Sequence, residues 1–375
     1  MIRSAHIFCR VVDHYGDAGV CWRLARQLVA EHAMQVTLFV DRRETLARLV
    51  PKVAPAADES IVDGVRVWPF GRPPAELPDI VVEAFGCGLP DAYMHAMVDA
   101  SRKPCWVNLE YLSAESWVEG VHGLPSPQPR LPLTRHFFMP GFSRDSGGLL
   151  RERGLVDSRM QWQRSGAAST WWSRHSDCPP PPDALVASLF CYPHARLALL
   201  LDAWSRSDRR IHCIVPEGIA SHALQSWLAG PVPEAGRCVT RGALTLASWP
   251  FLPQPEYDRL LWSCDFNIVR GEDSFVRAQW AARPFAWHIY PQQDDAHLPK
   301  LDAFLDRYTE GFAHAESLRG FFHALNAQEA DCASHWSAIA PRLPDWQTHA
   351  EAWCRRLASG TDLATALHDF CAKRL

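Results

Sequence analysis

The chain has 375 residues, of which 47% are apolar and 21% charged, and 38 Lys plus Arg against 42 Asp plus Glu give a formal net charge of −4. That length exceeds one ordinary hydrophobic core and favours two domains, and that composition excludes a disordered chain. A balance so near neutrality excludes bulk attraction to nucleic acid or an anionic membrane, and no apolar run reaches the roughly 18 residues of a membrane span.

The N-terminus runs into "HIFCRVV" (6–12), a short apolar strand, without a signal-peptide core, so the expected location is the cytoplasm. Twelve cysteines are scattered without a CxxC pair. Cys9, Cys21, Cys87, Cys191, Cys213 and Cys264 lie in apolar runs. They read as buried reduced thiols rather than zinc ligands or disulfides. Val20, Leu24 and Leu28 then recur at helical spacing, with Arg23, Arg26 and Gln27 on the opposite face. "QVTLFV" (35–40) returns as a strand, completing a strand–helix–strand unit and hence parallel pairing. The segments 64–70, 79–86, 104–112 and 135–142 continue the alternation.

The pattern breaks over 143–183, where "STWWSRHSDCPPPPDA" reads as a linker or lid. A second alternation follows, with strands expected at 184–192, 209–218, 244–251, 265–271 and 283–291. "PEYDRLLWSC" and "DSFVRAQWAA" read as helices between them, and the chain beyond 297 as helical. The expected organisation is one Rossmann-like α/β domain over 1–160 and a second over 184–350, facing a central cleft. A C-terminal helical segment, 351–375, is expected to pack back on the first domain.

Three constellations carry candidate chemistry. The first is Asp13-His14-Tyr15-Gly16-Asp17-Ala18-Gly19, a strand-to-helix turn. Ligands of parallel sheets bind at such turns, but this one lacks GxGxxG, and its acids would repel a pyrophosphate. Asp17 as a helix cap with Asp13 as a turn former is one reading; a base with its orienting neighbour is the other. The second is "VRGEDSFVRAQWA" (269–281), where a strand end, a charged turn and a helix start coincide. It reads either as an anion site strengthened by Arg270, with Glu272 free to accept hydroxyl hydrogen bonds, or as a capped, acid-biased helix start. The third is aromatic: Phe190, Tyr192, Phe251 and Tyr290 lie at strand ends that share one side of a parallel sheet, and either sandwich a base or belong to the core. Gln292, Asp294, Asp295 and His297 show no metal-ligand spacing, and His194 beside a helix start reads as structural.

The stretches "FCRVVDHYGDAGVCWRLARQL", "VRGEDSFVRAQWAARPFAWHIYPQ" and "DDAHLPKLDAFL" strongly resemble the bacterial elongation factor P arginine rhamnosyltransferases, in matching order over nearly the whole chain. The resemblance implies a GT-B fold and inverting, metal-independent transfer of L-rhamnose from dTDP-β-L-rhamnose to one arginine of elongation factor P, which helps ribosomes through polyproline stretches. It implies Asp17 as general base, Asp13 as its essential neighbour and Glu272 as a third essential carboxylate. Asp273 and Ser274, with Arg270, would hold the diphosphate, and Phe190, Tyr192, Phe251, Gln254 and Tyr290 would line the nucleotide pocket. No cofactor, metal, nucleic acid or membrane is implied. The alternatives are a GT-B enzyme with another nucleotide sugar or a small acceptor, and a nucleotide-binding module without catalysis.

Overall fold

The structure is a computed structural model that describes residues 2–13, 15–327 and 331–375; His14 of the first motif lies outside the described residues. In chain order the first elements are β1 (Ser4–Cys9), α1 (Gly16–His32), β2 (Gln35–Val40), α2 (Arg43–Leu49), β3 (Ser60–Val62), β4 (Val65–Pro69), β5 (Ile80–Ala84), α3 (Asp91–Asp99), β6 (Cys105–Leu109), α4 (Trp117–Val121), β7 (Pro125–Pro127) and β8 (Thr134–Phe138). There follow α5 (Leu155–Arg164), α6 (Ala167–His175), β9 (Leu185–Leu189), α7 (Ala198–Ser205), β10 (Ile211–Pro216), α8 (Ser221–Leu228), β11 (Cys238–Arg241), β12 (Leu244–Trp249), α9 (Gln254–Ser263), β13 (Phe266–Arg270), α10 (Asp273–Ala281) and β14 (Phe285–His288). Helices α11 (His297–Tyr308), α12 (Ala315–Asn326), α13 (Cys332–Ile339), α14 (Leu343–Ala358) and α15 (Leu363–Ala372) end the chain.

Two compact units result: 1–153 with 357–375, and 154–356. The first holds the sheet β3-β4-β2-β1-β5-β6-β8-β7, parallel except for its edge strands β3 and β7. β1 is central because every residue of "AHIFC" is buried, which suits a strand covered on both faces. Phe8 and Phe39 stack at 4.3 Å inside a cluster with Trp68, Tyr93 and Trp106. The terminal helix α15 belongs to this unit. Asp362 caps it by accepting from the Thr365 N–H at 3.0 Å and also accepts from Gln27 of α1 at 2.8 Å.

The second unit holds the sheet β11-β12-β10-β9-β13-β14, parallel except for β11. Its helices are locked by a buried bidentate ion pair: Arg277 of α10 donates to both oxygens of Asp258 of α9, at 2.9 and 2.7 Å. That bond holds the middle of α9 against the middle of α10.

Two expectations need correction. The 143–183 segment, expected as a linker or lid, carries α5 and α6 and from residue 154 belongs to the second unit, so the first unit's leading stretch stops at 153 rather than 160. Its tryptophans form the apolar face of α5 and α6, which are pinned to the second unit. The Trp162 indole donates to Ser263 at 2.8 Å, that of Trp171 donates to Glu256 at 2.5 Å, and Trp171 packs on Trp249 at 5.2 Å. Nor are all the thiols reduced. Cys178, at the head of the proline run, is disulfide-bonded to Cys238 of β11. The six cysteines named above are free, five of them buried and Cys87 half-buried.

Candidate functional sites on the two units

In the first unit α1 starts at Gly16 with Tyr15 before it and no side-chain cap. Asp17 is therefore not the helix cap. Its side chain turns back from the first helical turn, buried to 1% exposure, and its Oδ2 accepts the backbone N–H groups of Val12 at 2.7 Å and Asp13 at 2.9 Å. Asp41, after β2, accepts the Val11 N–H at 2.9 Å. Three successive N–H groups of the β1–α1 turn are thus bound to carboxylates. A phosphate-binding turn needs those groups for its ligand.

Burial raises the pKa of Asp17 above the usual carboxylate value. The two backbone hydrogen bonds oppose that rise, Asp13 adds to it by repulsion, and a hydrogen bond from the Tyr111 side chain opposes it again. The group is a carboxylate made more basic by its surroundings, which is what a base needs. Asp13 is half-buried at the mouth of the same turn.

Sequence reasoning missed the residues at the neighbouring strand ends. Glu83 of β5, buried, accepts from Arg135 at 3.2 and 3.1 Å. Asn108 of β6 accepts the Gly86 N–H at 3.0 Å and donates to Glu110. Their signal was position alone: β1, β5 and β6 run parallel and end together, with Phe8 opposite Glu83 and Glu83 opposite Asn108.

In the second unit Arg270 ends β13, buried to 6% exposure. Its guanidinium carbon lies 4.6 Å from the centre of the Phe190 ring and 4.8 Å from that of Tyr192, and Nη1 donates to the Cys191 carbonyl at 2.8 Å. Ser274, in the first turn of α10, accepts the Arg270 N–H at 3.0 Å and donates back to the Arg270 carbonyl. Glu272 stands at the N-cap position but makes no capping hydrogen bond, so the capped-helix reading does not hold. Gln254, opening α9, donates to Asp273 at 3.1 Å. Tyr290 meets Tyr192 edge-on at 5.4 Å and is 44% exposed. Phe251 is half-buried between β12 and Gln254.

The chain thus brings Phe190, Tyr192, Arg270, Ser274 and Tyr290 into one cluster, with Gln254 and Asp273 bound to each other beside it. Three histidines lie there: His194, read from the sequence as structural, His297, named only for its lack of metal-ligand spacing, and His288, which sequence reasoning missed. His288 Nδ1 accepts the Tyr192 N–H at 3.1 Å, and His194 stacks on Tyr192 at 5.7 Å and lies 4.9 Å from His288. His297 accepts the Gln292 N–H at 3.2 Å. Burial, then the neighbouring His194, Arg270 and His297 side chains, push His288 down to about 3, so it is neutral as that bond requires. Among the described residues no group of three or more His, Cys, Asp or Glu could hold a metal ion, and no helix is long and apolar enough to cross a membrane.

Two Rossmann-like units, one with an acid-filled strand–helix turn and one with an aromatic and arginine-lined turn, define the GT-B fold class. The fold recurs in spinosyn rhamnosyltransferase SpnG complexed with spinosyn aglycone, at 12% identity and a TM-score of 0.51 over 98% of this chain and 99% of that one. A protein-arginine rhamnosyltransferase of Pseudomonas putida is 47% identical over 368 residues, 97% of each chain. A solved structure described as the structural basis for EarP-mediated arginine glycosylation of translation elongation factor EF-P matches at 36% identity and a TM-score of 0.71, over 99% of both chains. The model of the Elongation-Factor P (EF-P) rhamnosyltransferase EarP family matches residues 5–372, and the chain belongs to that family.

Proposed function

We propose that this chain is an inverting glycosyltransferase that moves L-rhamnose from dTDP-β-L-rhamnose to one arginine side chain of elongation factor P. It acts in the cytoplasm and supports translation of polyproline stretches. Family membership supports the acceptor and the sugar. One observation carries the assignment of sites: the two strand–helix turns present different groups to a ligand. The β1–α1 turn binds its own N–H groups to carboxylates, which suits a cation such as guanidinium. The β13–α10 turn carries Arg270 braced between two rings at a helix start, which suits a diphosphate.

The acceptor sets the chemical problem. With a pKa of about 12.5–13.8, only about one arginine in 10⁶ is neutral at pH 7. A carboxylate cannot deprotonate it in the ground state. Proton removal is therefore coupled to C–N bond formation, as the attacking nitrogen loses its basicity. Asp17 takes the proton late, and its burial strengthens it for that step. Asp13 or Glu272 binds the guanidinium and fixes the nitrogen that attacks.

The anomeric carbon gains oxocarbenium character as the C–O bond to the diphosphate breaks. Attack opposite the leaving group turns the β-linked sugar into an α-linked one. Charge gathers on the departing diphosphate, where Arg270, Ser274 and the start of α10 stabilise it, and we assign that work to these residues without a metal. Phe190, Tyr192, Phe251, Gln254, Asp273 and Tyr290 are proposed to seat the nucleotide.

Intact-mass analysis tests the proposal. Elongation factor P incubated with the chain and dTDP-rhamnose gains one deoxyhexose, with fragmentation placing it on an arginine. No gain, together with turnover of a different donor–acceptor pair, overturns it.

A further inference from the structure

The bend after β5, "AFGCG", holds a bulky residue where the backbone disfavours one. Phe85 has φ 57, in the left-handed region, followed by Gly86 at φ 61 and Gly88 at φ 72. Glycine adopts that conformation freely, whereas a bulky side chain persists there only where its surroundings over-determine it. Those surroundings are visible. The Phe85 N–H donates to the Leu109 carbonyl at 2.7 Å, Gly86 to Asn108 at 3.0 Å and Gly88 to Glu83 at 3.0 Å. The Cys87 thiol donates to the Phe8 carbonyl at 3.3 Å, and Arg135 holds Glu83 from the far side. The pair of buried Glu83 and half-buried Arg135, which the proposed chemistry does not use, thus anchors the bend that carries Phe85.

The reason to keep a ring there lies across the strand ends. Phe85 stacks on Tyr111 at 4.3 Å with an interplanar angle of 13°, and both residues are partly exposed. The Tyr111 side chain in turn hydrogen-bonds Asp17. A flat aromatic pair therefore stands beside a buried carboxylate. That combination matches one ligand chemistry: a planar cation lays its face on the rings and keeps its edge N–H groups in plane for the acid.

We propose that Phe85 and Tyr111 form an aromatic platform beside Asp17 that receives the guanidinium of the acceptor arginine. The proposal rests on the function proposed above and adds the residues that select a planar cation. The platform holds the guanidinium face while Asp17 and Asp13 address its edge, so stacking orients the attacking nitrogen.

The test is steady-state rhamnosylation of elongation factor P at saturating dTDP-rhamnose by the full chain and four variants. Phe85→Gly removes the ring and relieves the backbone, since glycine suits φ 57. Tyr111→Leu removes the other ring. Each raises the acceptor KM about 3- to 30-fold, the range of a cation–π contact. Calorimetric affinity for dTDP stays at the wild-type value, and thermal melting confirms folding. Phe85→Tyr and Tyr111→Phe keep the stack and the acceptor KM. Tyr111→Phe also loses the hydrogen bond to Asp17 and moves the acid limb of the kcat/KM profile to higher pH, which a merely structural role would not do. Acceptor KM within about twofold of wild type in both Phe85→Gly and Tyr111→Leu overturns the platform. So does a rise in KM matched by an equal loss of dTDP affinity. A wild-type chain that transfers no rhamnose to elongation factor P overturns the proposed function, and the platform with it.

Discussion

Asp17 Oδ2 accepts the backbone N–H of Asp13 at 2.9 Å, so the two acids of the first turn hold unequal positions. Asp17 is buried and fixed by the turn that it organises, whereas Asp13 is half-buried and fixed through its backbone. The proposed chemistry assigns the base to the first and contact with the incoming group to the second. In a cluster of acids, burial and backbone hydrogen bonds distinguish roles that the letters Asp and Asp do not.

Replacing Asp17 by Asn separates catalysis from folding. Asparagine keeps the shape and one acceptor oxygen but cannot take a proton. Turnover is expected to fall by at least about 10²-fold. Stability is expected to hold or rise at pH 7. The folded pKa of Asp17 is raised, so its ionised form costs stability above its unfolded value of about 3.9, and asparagine mimics the neutral form. Thermal melting at pH 7 and at pH 4 checks the sign, since the advantage of the variant shrinks as pH falls. Near-normal turnover in a folded variant would remove Asp17 from the chemistry.

The second turn predicts donor binding. Replacing Phe251 by Ala is expected to weaken dTDP binding by about 1–3 kcal/mol if its ring stacks on the base. Phe190→Ala is expected to cost at least as much, because the Phe190 ring also braces Arg270 at 4.6 Å. Arg270→Lys keeps the charge and loses the planar contact with both rings, and does not restore affinity. Titration calorimetry with and without excess EDTA measures all of this. Unchanged affinity in both Phe→Ala variants would move the nucleotide elsewhere, and loss of binding in EDTA would bring in a metal.

The parallel cores of both units were legible because strands buried on both faces read as continuous apolar runs, as in "HIFC" and "FNIV". The edge strands β3, β7 and β11 were not, being short and defined by antiparallel partners rather than by pattern. Helices α5 and α6 were hidden because the prolines after them dominate the composition, while the face formed by Trp162, Trp171 and Trp172 acquires meaning only against α9 and β12. At the sites, Asp13, Asp17 and the 270–274 turn stood out because charge interrupts a strand-to-helix junction. Glu83 and Arg135 did not, because they lie 52 positions apart and meet only through the order β5-β6-β8. Phe85 looked like the end of a strand; its left-handed backbone is visible only in three dimensions.

Buried histidines predict acid sensitivity. Burial pushes His6 and His212 down to about 4 and His288 to about 3. Each is neutral in the fold and takes a proton when unfolded below about pH 6.5. The unfolded chain therefore binds more protons between pH 6.5 and those folded values, so stability is full above 6.5 and is lost as pH falls toward 4. The slope approaches about 1.4 kcal/mol per pH unit for each histidine. His212→Leu is expected to remove one histidine's share, since neither ring nitrogen of His212 has a hydrogen-bond partner among the described residues. Melting temperatures between pH 4.5 and 7.5 test this, and parallel curves for wild type and variant would refute it.

The last prediction concerns the acceptor. The acids of the first turn attract any cation, so charge alone cannot explain a preference for arginine. Geometry can. Guanidinium is planar, offers five N–H donors in a fixed fork and presents a flat face, whereas lysine presents a tetrahedral ammonium on a shorter reach. Asp17 is held in one orientation by the Val12 and Asp13 N–H groups, so it cannot turn to follow a displaced nucleophile. Substituting lysine for the acceptor arginine of elongation factor P is therefore expected to abolish transfer while docking of the factor persists. Mass analysis reads the transfer, and a binding titration of the lysine variant reads the docking. Rhamnosylation of the lysine at a comparable rate would show that the turn of Asp13 and Asp17 selects charge rather than shape. The stacked rings of Phe85 and Tyr111 would then have no part in choosing the acceptor.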